Sequence, residues 1–290
     1  MSNVLRALLC LLVVQTAMIP ALPVTSGSEA SGMTYRERIT AHRGSSESAP
    51  ENTLSAFRQA IRAGAGYAEL DVQETSDGVV MVMHDDNVRR TTGIDKPMWQ
   101  VTSAELASAS AGSWFGERYA AEKVPTLEQV IDTAQGRIKL NIELKNNGHG
   151  VRLAEKSADI VKRKSFGKDC IFTSFDGKLL HRVKQADPEL RTGLIVDKLE
   201  GAGALEKLLR NPDYDALSIA HPLVKPELLK LAGQYGKDIF AWTVNDPEVM
   251  KRMLELGVSS IITDKPRLLA KVAGERLQEQ MGTGAGEQKK

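Results

Sequence analysis

From Arg38 onward the chain alternates between short apolar runs and amphipathic segments, and this alternation restricts the fold more than any other feature. Runs with strand character occupy 39–42, 67–72, 79–84, 138–144, 170–173, 191–196, 216–219, 239–244 and 259–262. Segments with helical periodicity lie between them, at 53–62, 127–134, 151–164, 177–185, 205–209, 227–234, 248–255 and 267–273. Strand and helix in regular succession build a mostly parallel sheet covered by helices. About eight repeats in roughly 235 residues match a closed (β/α)8 TIM barrel, which usually takes ~250. An open doubly wound sheet would place a glycine-rich phosphate loop after the first strand. The chain has His42-Arg43-Gly44-Ser45-Ser46 there instead. The turn Ser76-Asp77-Gly78 separates the second and third runs closely enough for a hairpin, so a short hairpin-like extension is expected after the second strand. The expectation is one domain over residues 38–275, with a glycine-rich, polar and disordered tail at 281–290.

The first 30 residues read differently. Arg6 precedes the unbroken apolar run Leu8–Val14, and small residues follow at Ala17, Ala21, Ser26 and Gly27. That order is a signal peptide, which implies export to a periplasm or the exterior. The alternative is an uncleaved membrane anchor, although Gln15, Thr16, Pro20 and Pro23 interrupt the ~20 apolar residues that a span needs. Removing this segment leaves Cys170 as the only cysteine, so neither an internal disulfide nor a cysteine zinc site is available. Net charge is +1 over 290 residues, which provides no electrostatic basis for binding nucleic acid or an acidic membrane. Function must come from a local site.

Active residues of such barrels sit at the C-terminal ends of the strands. The first strand ends in His42-Arg43. The second carries Glu69 and Asp71 two apart, on one face, with Leu70 and Val72 on the other. In Ile138–Lys145 the apolar residues alternate with Lys139, Asn141, Glu143 and Lys145, which leaves Glu143 and Lys145 for the mouth. Three carboxylates converging in a low-dielectric mouth repel one another. A hard divalent cation resolves this, and oxygen ligands suit magnesium, calcium or manganese rather than zinc. His84 closes the run 79–84. His42 and His84, with reference pKa about 6.5, can divide proton donation and acceptance between them. Arg43 and Lys145 flank the same place, as expected for an anionic substrate such as phosphate, or for salt bridges to the neighbouring carboxylates.

The ordered motifs "AHRGSSESAPENTLSAF", "AELDVQETSDGVVMVMHDDNVRRTTG", "VPTLEQVI", "NIELK", "AWTVND" and "IITDKP" together resemble the glycerophosphodiester phosphodiesterase family. The likeness spans about 39–273. It departs at Gly66 and Ala68, and the short spacing from His84 to Val124 is similar to compact members. The resemblance implies a metal-dependent barrel hydrolase releasing sn-glycerol 3-phosphate and an alcohol from a small-molecule glycerophosphodiester. Glu69, Asp71 and Glu143 would bind one divalent cation, Mg2+ or Ca2+ with Mn2+ also compatible. His42 and His84 would be the acid/base pair, and Arg43 and Lys145 would hold phosphoryl oxygens. Glu51 is similar to a family glutamate near the site that would orient His42 or complete the metal shell; an acid opening a helix is the other reading. Trp242 would wall the pocket or sit in the core. His221 is a further pocket candidate, whereas His149 reads as loop and His181 as helix. A lysophospholipase D-like or sphingolipid phosphodiesterase is the alternative, and would favour an apolar rim.

Overall fold

The computed structural model describes residues 35–201 and 203–284, so the signal-peptide expectation for 1–30 lies outside the described residues. Among those described, no helix is long and apolar enough to cross a membrane.

Eight parallel strands close on themselves. They are β1 (Ile39–Ala41), β2 (Tyr67–Glu74), β4 (Lys139–Leu144), β5 (Cys170–Ser174), β6 (Arg191–Val196), β7 (Ala216–Ala220), β8 (Asp238–Trp242) and β9 (Ser260–Thr263), with β1 paired to both β2 and β9. The expected (β/α)8 barrel is therefore present. A short strand β3 (Val80–Val82) pairs antiparallel with Val72–Glu74, past the point where β2 leaves β1, so the expected hairpin extension stands at the C-terminal rim.

Alternation along each strand sorts the side chains into two environments. Ile39 and Ala41, Ala68, Leu70 and Val72, and Leu140, Ile142 and Leu144 face outward into the main core. That core is completed by α1 (Leu54–Arg62), α4 (Leu127–Ala134), α5 (Leu153–Arg163), α6 (Gly177–Ala186), α9 (Pro247–Leu256) and α10 (Pro266–Gly284). Helices α7 (Ala204–Leu209) and α8 (Pro226–Gln234) continue the ring. Inside the barrel, Ile171, Ala216, Phe240 and Ile262 form a plug with Tyr67 and Trp242 packed on it. One step further along the same faces the residues turn polar: Glu69, Thr173 and Ser218. The interior is thus dry below and polar at the mouth.

Two departures from the sequence expectation matter. Helix α10 continues to Gly284, entering the start of the tail for which no structure is expected; the remainder of 281–290 lies outside the described residues. The stretch from His84 to Val124, which carries no strong periodicity, contains α2 (Arg89–Thr92) and α3 (Ser103–Ser108) around a second core. That core joins Met81, Met83, Val88, Met98, Val101 and Leu106 with Ala111 and Val124. A one-turn helix and a two-turn helix are too short to display a 3.6-residue stripe.

Gly44 shows how tightly the first turn is seated. Its φ is +75°, and a Cβ there would lie 2.7 Å from both the carbonyl carbon and Cβ of Ala56 in α1. Gly136 has a similar φ of +71° but nothing within 4 Å of the corresponding point. We expect Gly136→Ala to cost about 1 kcal/mol from backbone strain alone. Gly44→Ala should cost more than twice as much, and urea denaturation of the two variants measures the difference.

Candidate active site

The mouth is organised by where the first strand stops. His42 N–H still donates to Thr263 O at 2.8 Å, but Arg43 then adopts φ +52°. That turn aims the Arg43 N–H at Glu69 Oε2, 2.8 Å away. Asn52, at φ +59°, donates through Nδ2 to Asp71 Oδ2 at 2.9 Å. Non-glycine residues in this region carry roughly 1–3 kcal/mol of strain each. Both strained residues hold a carboxylate of the same cluster.

That cluster is Glu69, Asp71 and Glu143, with one oxygen from each lying within 4.8 Å of the others. Strand register produces it: β2 and β4 pair Asp71 with Glu143 and Glu69 with Asn141. Burial, then the charge of Asp71, pushes the Glu69 carboxyl up to about 8 and the Glu143 carboxyl up to about 7. Burial also opposes ionisation of Asp71, but Arg43, Lys145 and the Asn52 hydrogen bond outweigh it and hold Asp71 below the usual carboxylate range. Lys145 Nζ sits 2.9 Å from Glu143 Oε1 and 3.6 Å from Asp71 Oδ1. Arg43 Nε, 3.6 Å from Asp71 Oδ2, is buried without a hydrogen-bond partner. Three clustered carboxylates, two of which resist ionisation until about neutral pH, fit a hard divalent cation.

Each histidine is anchored by its own carboxylate. His42 Nδ1 is 2.7 Å from Asp264 Oδ1, and Asp264 also accepts from Ser46 Oγ at 2.9 Å and Asn245 Nδ2 at 2.5 Å. Burial works against ionisation of Asp264, yet the bond to His42 and the flanking donors lower it to about 2. His84 Nδ1 is 2.8 Å from Asp85 Oδ1. Asp85 is likewise lowered to about 2, its hydrogen bonds from Arg90 and His84 overcoming burial. Ionised carboxylates only accept, so both Nδ1 atoms carry hydrogen and both Nε2 atoms remain for chemistry. Burial depresses the His42 pKa, but Asp264 and Glu69 reverse this and raise it overall. His42 Nε2 lies 4.0 Å from Glu69 Oε2.

Both histidines, Arg43, Glu69, Glu143 and Lys145 line one cavity of about 150 Å³. Trp242 walls it, with Nε1 donating to Ser218 O at 2.8 Å, and meets Phe175 edge-on at 5.9 Å. Asp71 lies buried beside Glu143 on the adjoining strand. The residues selected from sequence therefore converge, with one reassignment. Glu51 precedes α1, whose N-cap is Thr53, so it is not in the first turn of the helix. Its carboxylate accepts from Arg43 Nη1 at 2.9 Å and from Arg90, whereas the partner of His42 is Asp264. Glu51 is also absent from the three-acid cluster. His221 does not line the cavity, His149 stacks on Trp99 at 4.0 Å, and His181 bonds Asp213 at 2.8 Å. Sequence reasoning missed Asp264, Asp85, Asn52, Arg90 and Phe175. The available signals were an acid immediately after the last strand and another immediately after His84.

Residues 42–268 match the model of the glycerophosphoryl diester phosphodiesterase family. The chain belongs to that family. It is an enzyme, a phosphoric diester hydrolase of the class that cleaves glycerophosphodiesters. A glycerophosphodiester phosphodiesterase of Caldanaerobacter subterraneus subsp. tengcongensis is 37% identical over 239 residues, covering 80% of this chain and 95% of that one. One from Bacillus subtilis is 31% identical over 274 residues, covering 86% and 91%. Among solved structures, an Oleispira antarctica phosphodiesterase in complex with the product sn-glycerol-3-phosphate matches with TM-score 0.75 and 29% identity, over 82% of this chain and 96% of that one.

The raised carboxyls give the ion-free protein a distinctive pH dependence. Glu69 and Glu143 hold protons in the native state that the unfolded chain, near 4.5, has already released. Stability from this source is complete below about pH 4.5 and is lost as pH rises through about 7 to 8. We expect the melting temperature of chelator-treated protein to fall by at least about 5 °C between pH 5.5 and pH 8.5. Glu69→Gln should flatten the dependence, and calorimetry at the two pH values checks both.

Proposed function

We propose that this chain hydrolyses small glycerophosphodiesters to sn-glycerol 3-phosphate and an alcohol, with His42 and His84 as a general acid/base pair. The observation that carries this reading is that both imidazoles line one cavity with each Nδ1 tied to an ionised carboxylate. The product bound to the Oleispira antarctica relative supports the choice of product.

Glu69, Asp71 and Glu143 would hold one divalent cation, magnesium or calcium, which supplies Lewis acidity toward the phosphoryl group. Arg43 and Lys145 bind and orient the anionic diester. Both side chains line the cavity, so their positive charge faces a bound diester. One Nε2 removes the proton of the attacking hydroxyl: water gives glycerol 3-phosphate directly, whereas the substrate's own glycerol hydroxyl gives a cyclic glycerol phosphate that a water must then open in a second displacement. The other Nε2, protonated, gives its proton to the departing alkoxide as the phosphorus–oxygen bond breaks.

A second substrate class has one observation in its favour. Phe175 stands 52% exposed at the rim of the cavity, in contact with Trp242. Such a rim suits an acyl chain as well as a small alcohol, so a lysophospholipid is the competing substrate.

Replacing His42 or His84 with Ala should lower kcat by about 10²–10⁴-fold while the melting temperature stays near wild type. Near-normal turnover in both variants would end the acid/base assignment. Chelation should abolish activity and added magnesium or calcium should restore it. Release of glycerol 3-phosphate from glycerophosphocholine, set against hydrolysis of lysophosphatidylcholine, decides between the substrate classes; a preference for the lysolipid would favour the second.

A further inference from the structure

One strongly bonded group beside the site has no part in the steps above. Arg90, in the one-turn helix α2, does not line the cavity, yet its guanidinium makes four hydrogen bonds to two carboxylates. Nε and Nη2 donate to Asp85, at 2.6 and 3.0 Å. Nη1 and Nη2 donate to Glu51, at 2.8 and 2.7 Å. Each carboxylate has a second partner inside the site. Asp85 Oδ1 also holds Nδ1 of His84, and Glu51 Oε1 also holds Nη1 of Arg43. The series runs without a gap from His84 through Asp85, Arg90 and Glu51 to Arg43.

We propose that Arg90 is a positioning residue that fixes His84 and Arg43 relative to each other, so that the acid/base group and the phosphate-binding cation are held as one unit. The inference rests on the reaction proposed above.

Three physical points support it. Asp85 and Glu51 bind the same guanidinium from adjacent edges, and without that cation two carboxylates would face each other. Both acids lie below their ordinary ionisation range, with burial opposing and the Arg90 hydrogen bonds leading the effects that lower them, so both stay ionised and both accept. A bidentate guanidinium also fixes direction as well as distance, which a lysine at the same place cannot do. The guanidinium is itself seated: it lies 5.8 Å over the Trp114 ring, and its helix is fastened by buried Val88 and Thr91 on either side. The outer segment thereby acquires a purpose. Its small core places one arginine where two loops of the barrel mouth can share it.

Arg89 provides a control on the same helix turn. Its side chain is 71% exposed and among the described residues pairs with Asp95 alone, at 3.3 Å. We expect Arg90→Ala to lower kcat/KM for glycerophosphocholine at least about tenfold, with kcat reduced through His84 and KM raised through Arg43. Affinity for sn-glycerol 3-phosphate, measured by calorimetry, should weaken in parallel. Added guanidinium ion should restore part of the lost rate, ammonium should not, and Arg90→Lys should recover less than half of it. Arg89→Ala should match wild type throughout. A rate within twofold of wild type in Arg90→Ala, a loss that guanidinium does not repair, or an equal loss in Arg89→Ala would overturn the inference. If wild type itself neither turns over the diester nor binds glycerol 3-phosphate, the proposed reaction fails, and with it the role of Arg90.

Discussion

The structure around the mouth follows from three carboxylates that the strand register forces together. Asp71 and Glu143 are direct neighbours across β2 and β4, and Glu69 shares the inward face of β2. None of the three can move away without shifting a strand in a closed barrel, and a one-residue shift would expose the opposite, apolar face. The repulsion is therefore handled locally. Asn52 and the Arg43 backbone each give a hydrogen bond, Lys145 and the Arg43 side chain each give positive charge, and two carboxyls keep protons near neutrality. The strained backbone at Arg43 and Asn52 belongs to the same accommodation, since both residues at positive φ donate to the acids.

The two histidines are supported from different parts of the molecule. The partner of His42, Asp264, follows β9, and β9 lies beside β1, so closure of the barrel itself brings that dyad together. Asn245 links the same carboxylate to the loop after β8. His84 instead takes its carboxylate from the adjoining residue, Asp85, and that residue is steadied by Arg90. One imidazole is thus referred to the rigid barrel and the other to the outer segment. Their separation depends on how firmly those two bodies are joined.

These differences explain what could be read from the sequence. Alternation of apolar runs and amphipathic segments is a local signal, and it sufficed for the barrel and for the inward phase of Glu69, Asp71 and Glu143. Asp264 is more than two hundred residues from His42, and nothing near either residue announces that β9 will close against β1. Glu51 was legible as a site residue but not as to its partner, because Arg90 reaches it from a helix of four residues. The second core was hidden for a related reason. Its members are spaced by turns rather than by a helical or strand period, so Val88, Met98, Val101 and Leu106 look unremarkable one at a time. The exposed Phe175 is likewise only an aromatic after a strand until Trp242, from another strand, stands beside it.

The seam between the two cores is β3, and its alternation decides where His84 goes. Val80 and Val82 belong to the main core, whereas Met81 and Met83 belong to the outer one. A three-residue strand thus offers one face to each body, which a longer strand in a single core could not do. Hydrogen bonds carry the pairing one step further, since Met83 N–H donates to Asp71 O at 2.9 Å. His84 is the next residue on the side of Val80 and Val82, and it enters the cavity. Gln73 fastens this exit, its two Nε2 hydrogens shared among the carbonyls of Met83, His84 and Asp85 at 3.0 to 3.2 Å. The imidazole is therefore located by two hydrophobic cores acting on opposite faces of one short strand. A change that loosened the outer core would be felt at His84 first, while the pairing of β2 with β4 keeps Asp71 and Glu143 adjacent.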